Sequence, residues 1–178
     1  LYELVADCDP CFFTMELVED ALPLPDHLRL RESGRDTTVG PDGCRAPPPT
    51  IAVRDAFRQL ALGLERVHRE EKVHRDVKPT NVLVDGTGRV VLLDFGLARA
   101  IAESGTDRLT RSGFAVGTSS YMSPEQVQGL PDIDERSDLY SLGCVLFECA
   151  AGRPPFTALR EELVLRMHLD NEAPDVRT

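Results

Sequence analysis

Residues 74–81 concentrate, within one short stretch, polar side chains whose types and spacing could support chemistry. The stretch carries a carboxylate at Asp76, an ammonium group at Lys78 and an amide at Asn81. A second carboxylate, Asp94, opens an Asp-Phe-Gly triplet further along the chain. Phosphoryl transfer needs a carboxylate that orients and deprotonates the attacking hydroxyl, a cation beside the moving group, and oxygen ligands for hard metal ions. These four side chains provide that set.

Each of these segments also has a plainer interpretation when it is considered alone. A polar turn closed by Lys-Pro would explain residues 74–81, and Asn81 and Lys78 could simply satisfy backbone groups of that loop. Two further segments, residues 117–126 and residues 138–143, follow in order along the chain. Together the four motifs resemble the catalytic loop, the metal-binding loop, the substrate-docking segment and the start of the central buried helix of protein kinases.

The resemblance to protein kinases implies a role for each polar residue of this set. Asp76 is implied to be the catalytic base towards a substrate hydroxyl, and Lys78 to contact the phosphate being transferred. Asn81 and Asp94 are implied to hold Mg²⁺ ions. Thr118, together with a lysine two residues after the aspartate, is similar to the serine/threonine-specific version of the family. The implied reaction is therefore transfer of the γ-phosphoryl group of ATP to serine or threonine hydroxyls of a protein substrate.

The start of the chain resembles the part of a kinase that binds the adenine ring of ATP. Residues 12–18 are similar to the strand that continues into the adenine-contacting linker, and the resemblance implies that the backbones of Glu16 and Val18 bond the adenine edge. Leu83 resembles the apolar residue beneath the ring, and Met15 resembles the residue at the back of the pocket. Apolar residues on strands usually pack in a core, so Leu83 and Met15 are also expected to be core residues.

The segment after Asp94 is rich in hydroxyl groups and lacks strong periodicity, which predicts a mobile loop. Arg75 directly precedes the candidate base, and in kinases with this arginine the guanidinium can pair with a phosphate on that loop. Such a bidentate contact would order the segment. Residues 109–113, which include Thr110 and Ser112, resemble the paired-hydroxyl segment of bacterial kinases of the eukaryotic type. For any single hydroxyl, a solvated polar loop remains the alternative.

Hydrophobic periodicity and turn residues predict the elements that must position these motifs. In chain order these are a strand pair over residues 1–6 and 12–17, a short helix over residues 25–31, an exposed loop insertion over residues 32–50, a helix over residues 51–69 capped by Thr50, a hairpin with strands over residues 81–84 and 90–93, and a helix that begins near Asp138. The long helix repeats apolar residues at three- and four-residue steps, which predicts a buried face of Val53, Phe57, Leu60, Ala61, Leu64 and Val67. The hairpin turns at residues 85–88 and would bring Asp94 back beside Asn81, so that both candidate metal ligands face one cleft.

The resemblance extends over essentially the whole chain and implies an α+β, protein-kinase-like fold with a mainly helical large lobe. Residues 1–18 resemble the end of the small lobe and the hinge, and residues 19–178 resemble the large lobe short of its last helices. The chain contains no G-x-G-x-x-G and no lysine before Lys72, so we expect the chain alone to be inactive. A non-catalytic kinase-like binding module or an inactive truncated fragment is the alternative to an active enzyme. Ser123 stands where the family has alanine, a change between small residues that puts little of the resemblance in doubt.

Composition limits the classes of partner and compartment. The net charge of the 178 residues is −10, which argues against a nucleic-acid surface, because such a surface is expected to be basic. The longest apolar run, residues 142–151, is too short to span a membrane, and no export signal is visible. Cys8 and Cys11 have the spacing of a metal or redox pair, but no second pair completes a zinc site. The five cysteines fit a reducing, cytoplasmic setting, although the intact protein could be anchored to a membrane through other regions.

Overall fold

The computed structural model describes residues 3–5, 12–14, 18, 20–30, 50–93 and 118–176, which form five β-strands and five α-helices. In chain order these are β1 (Glu3–Val5), β2 (Phe12–Thr14), β3 (Leu22–Pro23), α1 (Leu24–Leu30), α2 (Thr50–His68), β4 (Val82–Val84), β5 (Val90–Leu92), α3 (Pro124–Val127), α4 (Glu135–Ala151) and α5 (Glu161–Asp170). Short 3-10 turns cover Pro79–Asn81 and Thr118–Tyr121. The mixture of long helices and short antiparallel sheets confirms the predicted α+β fold class.

The strands form two antiparallel sheets. In the first sheet β1 pairs with β2, with Glu3 opposite Thr14, which confirms the predicted strand pair. The turn expected between them, with Cys8 and Cys11, lies outside the described residues. In the second sheet the strand order is β3-β4-β5, and β4 and β5 form the predicted hairpin.

The turn of this hairpin is closed by one side chain, Asp85. Its Oδ1 atom accepts hydrogen bonds from the Thr87 hydroxyl (2.6 Å), from the Thr87 N–H (2.9 Å) and from the Arg89 N–H (3.1 Å). These bonds, that of the Thr87 hydroxyl first, lower the pKa of Asp85 from 3.8 to about 2. Gly88 adopts a φ of 89°, a conformation that glycine tolerates without steric cost. Because the carboxylate is ionised well below neutral pH, the turn keeps its acceptor under physiological conditions.

Helix α2 buries one face, as its apolar spacing predicts. Its fully or nearly buried residues are Ala56, Leu60, Leu64 and Val67, and Val53 and Phe57 pack at the border of the core. The prediction for Ala61 is wrong, since this residue is exposed. Successive residues of a helix are rotated by about 100°, so Ala61 turns away from the face of Leu60, whereas Ala56 aligns with it. Thr50 is the first residue of the helix rather than the residue before it.

Helix α4 begins three residues earlier than predicted, because Asp134 caps it. The Asp134 carboxylate accepts a hydrogen bond from the Arg136 N–H at 3.0 Å, which satisfies one of the free donors of the first turn. The helix ends at Ala151 and is followed by Gly152, whose φ of 75° is the left-handed conformation common at helix ends. Cys144 and Cys149 are buried, which confirms their expected core positions.

A single hydrophobic cluster joins α1, α2, β4 and α4. Its buried members are Leu24, Leu28, Ala56, Leu60, Leu64, Val77, Val82, Val84, Val145 and Cys149. Val77 belongs to the loop that carries the candidate catalytic residues, so burial of this one side chain fixes the loop to the helical core.

Helix α4 also has an exposed apolar side. Leu139 is 53% exposed and Leu146 is 42% exposed. Among the described residues, none of the helices combines the length and the apolar character that crossing a membrane requires.

Candidate active site

The loop of residues 74–81 is held at its middle by Val77, which is almost fully buried. The side chains on either side of it reach the surface in part: that of Asp76 is 31% exposed and that of Lys78 is 17% exposed. The loop then closes into the Pro79–Asn81 turn, where the Asn81 N–H donates to the Lys78 carbonyl at 2.9 Å. A buried residue between two partly exposed ones therefore presents the carboxylate and the ammonium group side by side.

The three predicted catalytic residues meet in space. The Lys78 Nζ atom lies 2.9 Å from Asp76 Oδ2 and donates a hydrogen bond to Thr118 Oγ1 at 3.1 Å. Thr118 comes from a different part of the chain, at the start of the Thr118–Tyr121 turn. The lysine thereby links the carboxylate of the loop to a hydroxyl on the docking segment.

The side chain of Asn81, a predicted metal ligand, is held by Asp76. Its Nδ2 atom donates to the Asp76 backbone carbonyl and to Asp76 Oδ2, both at 2.9 Å. A metal ion would therefore use the other atom of the amide, Oδ1. The Leu93 N–H donates to the Asn81 carbonyl at 2.8 Å, so β5 returns to Asn81 one residue before Asp94. Asp94 itself lies outside the described residues.

His74 is fully buried and its ring connects the loop to the end of β5. The Asp76 N–H donates to Nδ1 at 3.3 Å, and Nε2 lies 2.8 Å from the Leu93 carbonyl. Because Nδ1 accepts, the ring proton belongs on Nε2, which then donates to Leu93. A neutral imidazole thus holds both the backbone of the candidate base and the strand that leads to Asp94.

The Asp138 carboxylate, also fully buried, fixes the start of the loop. It accepts hydrogen bonds from the His74 N–H (2.8 Å) and the Arg75 N–H (2.7 Å), and it lies 2.8 Å from His68 Nε2. Arg75 adopts a φ of 67°, which is unfavourable for a residue with a side chain. The carboxylate therefore stabilises a strained backbone directly before Asp76. Asp138 was not predicted as a site residue; the signal was a carboxylate in the first turn of α4, at the start of the motif over residues 138–143.

Side chains of α4 hold the Thr118–Tyr121 turn in place. The Ser141 hydroxyl donates to the Tyr121 carbonyl at 2.7 Å, and the Tyr121 hydroxyl donates to Glu148. Burial, together with the bond to Glu148, raises the pKa of Tyr121 far above its usual value, so the phenol keeps its proton as a donor. These contacts set the position of Thr118 relative to the loop.

Of the other predicted site residues, the structure describes only some. Val18 is half-buried. Leu83 is also half-buried and alternates with the fully buried Val82 and Val84, so it lies on the face of β4 away from the core, which corrects its expected core position. Predicted positions outside the described residues are Met15, Glu16, Asp94, Thr110 and Ser112.

Comparison with known proteins identifies the family of the chain. The sequence model of the protein kinase domain family matches residues 1–176. Serine/threonine-protein kinase PknB of Mycobacterium tuberculosis is 51% identical over 152 residues, which cover 81% of this chain and 22% of that protein. DNA damage-responsive serine/threonine-protein kinase RqkA of Deinococcus radiodurans is 45% identical over 150 residues, 84% of this chain and 22% of that protein. A probable serine/threonine-protein kinase of Corynebacterium efficiens is 37% identical over 163 residues, 90% of this chain and 24% of that protein. The chain thus spans less than a quarter of the length of these relatives.

Proposed function

Since the chain belongs to the protein kinase family, we propose that the intact protein transfers the γ-phosphoryl group of ATP to serine or threonine hydroxyls of proteins, with Mg²⁺ as the metal ion. The observation that carries this proposal is the cluster in which Lys78 Nζ lies within hydrogen-bond distance of both Asp76 and Thr118. A binding module without catalysis would not require a carboxylate, a cation and a hydroxyl to be held in this arrangement.

Asp76 acts in this proposal as the base. Within the part of the chain that the structure describes, the contacts of its carboxylate with Lys78 and Asn81 both fall on Oδ2. Oδ1 is therefore the atom that we assign to orient the substrate hydroxyl and to accept its proton. The backbone contacts through His74 and Asp138 keep this oxygen in place while the proton moves.

Lys78 stabilises the transferred group. An ammonium group has three donors, and two of them are directed at Asp76 and Thr118. Within the described residues the third has no partner, so we assign it to a phosphate oxygen. The bond to Thr118 places this charge on the side of the docking segment, where the acceptor peptide would lie.

Oxygen donors at Asn81 and Asp94 suit a hard divalent cation. The Asn81 amide is already oriented by its two Nδ2 contacts with Asp76, so its Oδ1 atom fits the role of a ligand. When bound, Mg²⁺ would neutralise phosphate charge. The backbones of Glu16 and Val18 are proposed to hold the adenine edge, and the face of β4 that carries Leu83 is proposed to lie beneath the ring.

We further propose that residues 1–18 are the end of the small lobe and the hinge, and that residues 19–178 form most of the large lobe, with an insertion over residues 32–50. The expected compartment of the reaction is the cytoplasm, where ATP is available.

Phosphoamino-acid analysis of a protein substrate, after incubation with the intact protein, Mg²⁺ and γ-labelled ATP, tests this function. We expect labelled phosphoserine and phosphothreonine, and no label when the metal is chelated. Label on tyrosine would contradict the proposed acceptor. An absence of label in all samples would favour the alternative, a non-catalytic kinase-like module.

Substitution of the two proposed metal ligands should weaken nucleotide binding unequally. A carboxylate supplies a full charge to a hard cation and an amide supplies only a dipole, so Asp94→Ala should reduce Mg²⁺-dependent ATP affinity more than Asn81→Ala does. Titration of the intact protein with a fluorescent ATP analogue, with and without Mg²⁺, measures both losses. An equal loss, or a larger loss for Asn81→Ala, would overturn the ranking.

A further inference from the structure

The side chain of Gln126 bridges the docking segment and the catalytic loop. It is the third residue of α3 and is only 7% exposed. Its Nε2 atom donates to the Arg75 carbonyl at 2.8 Å, across a sequence separation of 51 residues. This contact belongs to neither the candidate base nor the proposed ligands of the nucleotide, and the sequence motifs did not predict it.

The carbonyl that Gln126 contacts belongs to the peptide group that joins Arg75 to Asp76. The N–H of the same peptide group donates to His74 Nδ1 at 3.3 Å. The preceding N–H, that of Arg75, donates to the Asp138 carboxylate at 2.7 Å. Because Arg75 has a φ of 67°, this backbone is in a conformation that needs external support. Gln126 supplies one of the hydrogen bonds that hold the plane of the peptide from which the Asp76 side chain projects.

The opposite end of the Gln126 amide is fixed by the cap of α3. The Ser123 N–H donates to Gln126 Oε1 at 3.0 Å, and the Gln126 N–H donates to Ser123 Oγ at 3.3 Å. Since Ser123 N–H is a donor, the atom facing it must be Oε1, which directs Nε2 to the Arg75 carbonyl. Ser123 Oγ lies 2.8 Å from Ser137 Oγ of α4, so the cap is itself anchored in the core. Ser123, which stands where the family has alanine, therefore helps to orient Gln126. Ser-x-x-Gln is a known capping pattern, but the sequence alone did not indicate this role.

We propose that Gln126 is a positioning residue for phosphoryl transfer: it ties the capped start of α3 to the Arg75–Asp76 peptide and so sets the orientation of the catalytic base. This inference rests on the proposed function and adds a residue to it. A displacement of the docking segment relative to the catalytic loop would reach the Arg75–Asp76 peptide through this amide, in addition to reaching the Asp76 carboxylate through Thr118 and Lys78.

Gln126→Glu in the intact protein is the most direct test, because it keeps the length of the side chain and the acceptor for Ser123 but replaces the donor to Arg75 with an oxygen. At about pH 8 we expect kcat to fall at least about tenfold, the size expected for loss of one buried hydrogen bond, with the KM for ATP changed less than about twofold. Gln128→Glu makes the same chemical change at an exposed position two residues later and should leave both constants unaltered.

The pH dependence of the variant distinguishes positioning from a general loss of structure. The introduced carboxyl would face the Arg75 carbonyl; the adjoining backbone N–H groups contact His74 and Asp138, and Glu125 directly precedes position 126 on α3. Burial raises the pKa of an introduced carboxyl, and once protonated it can again donate to the Arg75 carbonyl. The ratio of the kcat of Gln126→Glu to that of the unchanged protein should therefore rise as the pH falls from about 8 to about 6. Gln126→Met has no such donor, so it should lose kcat at every pH.

Hydrogen exchange gives a reading that does not depend on activity. Peptides covering residues 74–78 should exchange faster in Gln126→Glu and Gln126→Met than in the unchanged protein, and at the same rate in Gln128→Glu. Unchanged exchange, an unchanged kcat at about pH 8, or a loss in Gln126→Glu that does not vary with pH would each overturn the proposal. If the unchanged protein transfers no phosphate, the proposed function fails, while the exchange data still decide whether Gln126 holds the Arg75–Asp76 peptide. If Gln126→Glu does not fold, Gln126→Met provides the kinetic and exchange comparisons.

Discussion

Asp76→Asn in the intact protein is expected to lower the rate constant of phosphoryl transfer by roughly 10²- to 10⁴-fold, the range associated with loss of a general base. The affinity for ATP should change less than about twofold, because the base acts on the acceptor hydroxyl and not on the nucleotide. In the structure Asp76 Oδ2 meets the Nζ atom of Lys78 and the Nδ2 atom of Asn81, both of which are donors. The new amide should turn its oxygen towards these donors and its NH₂ group towards the substrate. The geometry is thereby kept and the proton acceptor is lost.

Single-turnover kinetics with a peptide substrate and direct titration with an ATP analogue measure the two quantities separately. Asp132→Asn is a matched control, since it makes the same change at an exposed aspartate. A parallel collapse of ATP affinity in Asp76→Asn would show that Asp76 holds the metal ion and is not the base.

Asp138→Ala should cause the largest loss of stability among single substitutions near the site. The substitution removes a fully buried carboxylate that is the acceptor of the His74 and Arg75 N–H groups and the partner of His68. Unpaired buried donors cost about 1–3 kcal/mol each, so we expect the free energy of unfolding to fall by about 3–5 kcal/mol. The strained backbone at Arg75 would also relax, so activity should fall in whatever fraction of the protein remains folded.

Urea denaturation of the intact protein measures this loss, and Asp170→Ala is its control. Asp170 is an exposed aspartate that pairs with Arg166 at 3.0 Å, four residues earlier on α5. An exposed pair of this kind contributes less than about 1 kcal/mol. If Asp138→Ala cost no more than Asp170→Ala, the buried carboxylate would not be the support of the loop that its contacts indicate.

Local features were predictable from the sequence because their causes are local. The β4–β5 hairpin follows from an Asp-Gly-Thr-Gly turn whose own side chains close it, and α2 follows from the repeat of its apolar residues. The error at Ala61 shows the limit of the pattern: an alanine fits either side of a helix, and only packing decides which side is covered. The start of α4 was predicted three residues too late, because the helix is capped by Asp134 and the apolar pattern does not indicate that cap.

By itself the sequence determined the chemical content of this protein: the residue types at positions 76, 78, 81 and 94, their order, and the short elements that carry them. Only the tertiary structure decided how Thr118 reaches Lys78, how Asp138 holds Arg75, and how Gln126 holds the peptide before Asp76. These contacts join residues separated by 40, 63 and 51 positions. No periodicity or turn residue encodes a distance of that kind, because it depends on how α4 and the docking segment pack against the loop. A polar side chain acquires its partner only when burial removes water as the alternative, and burial is a property of the assembled core.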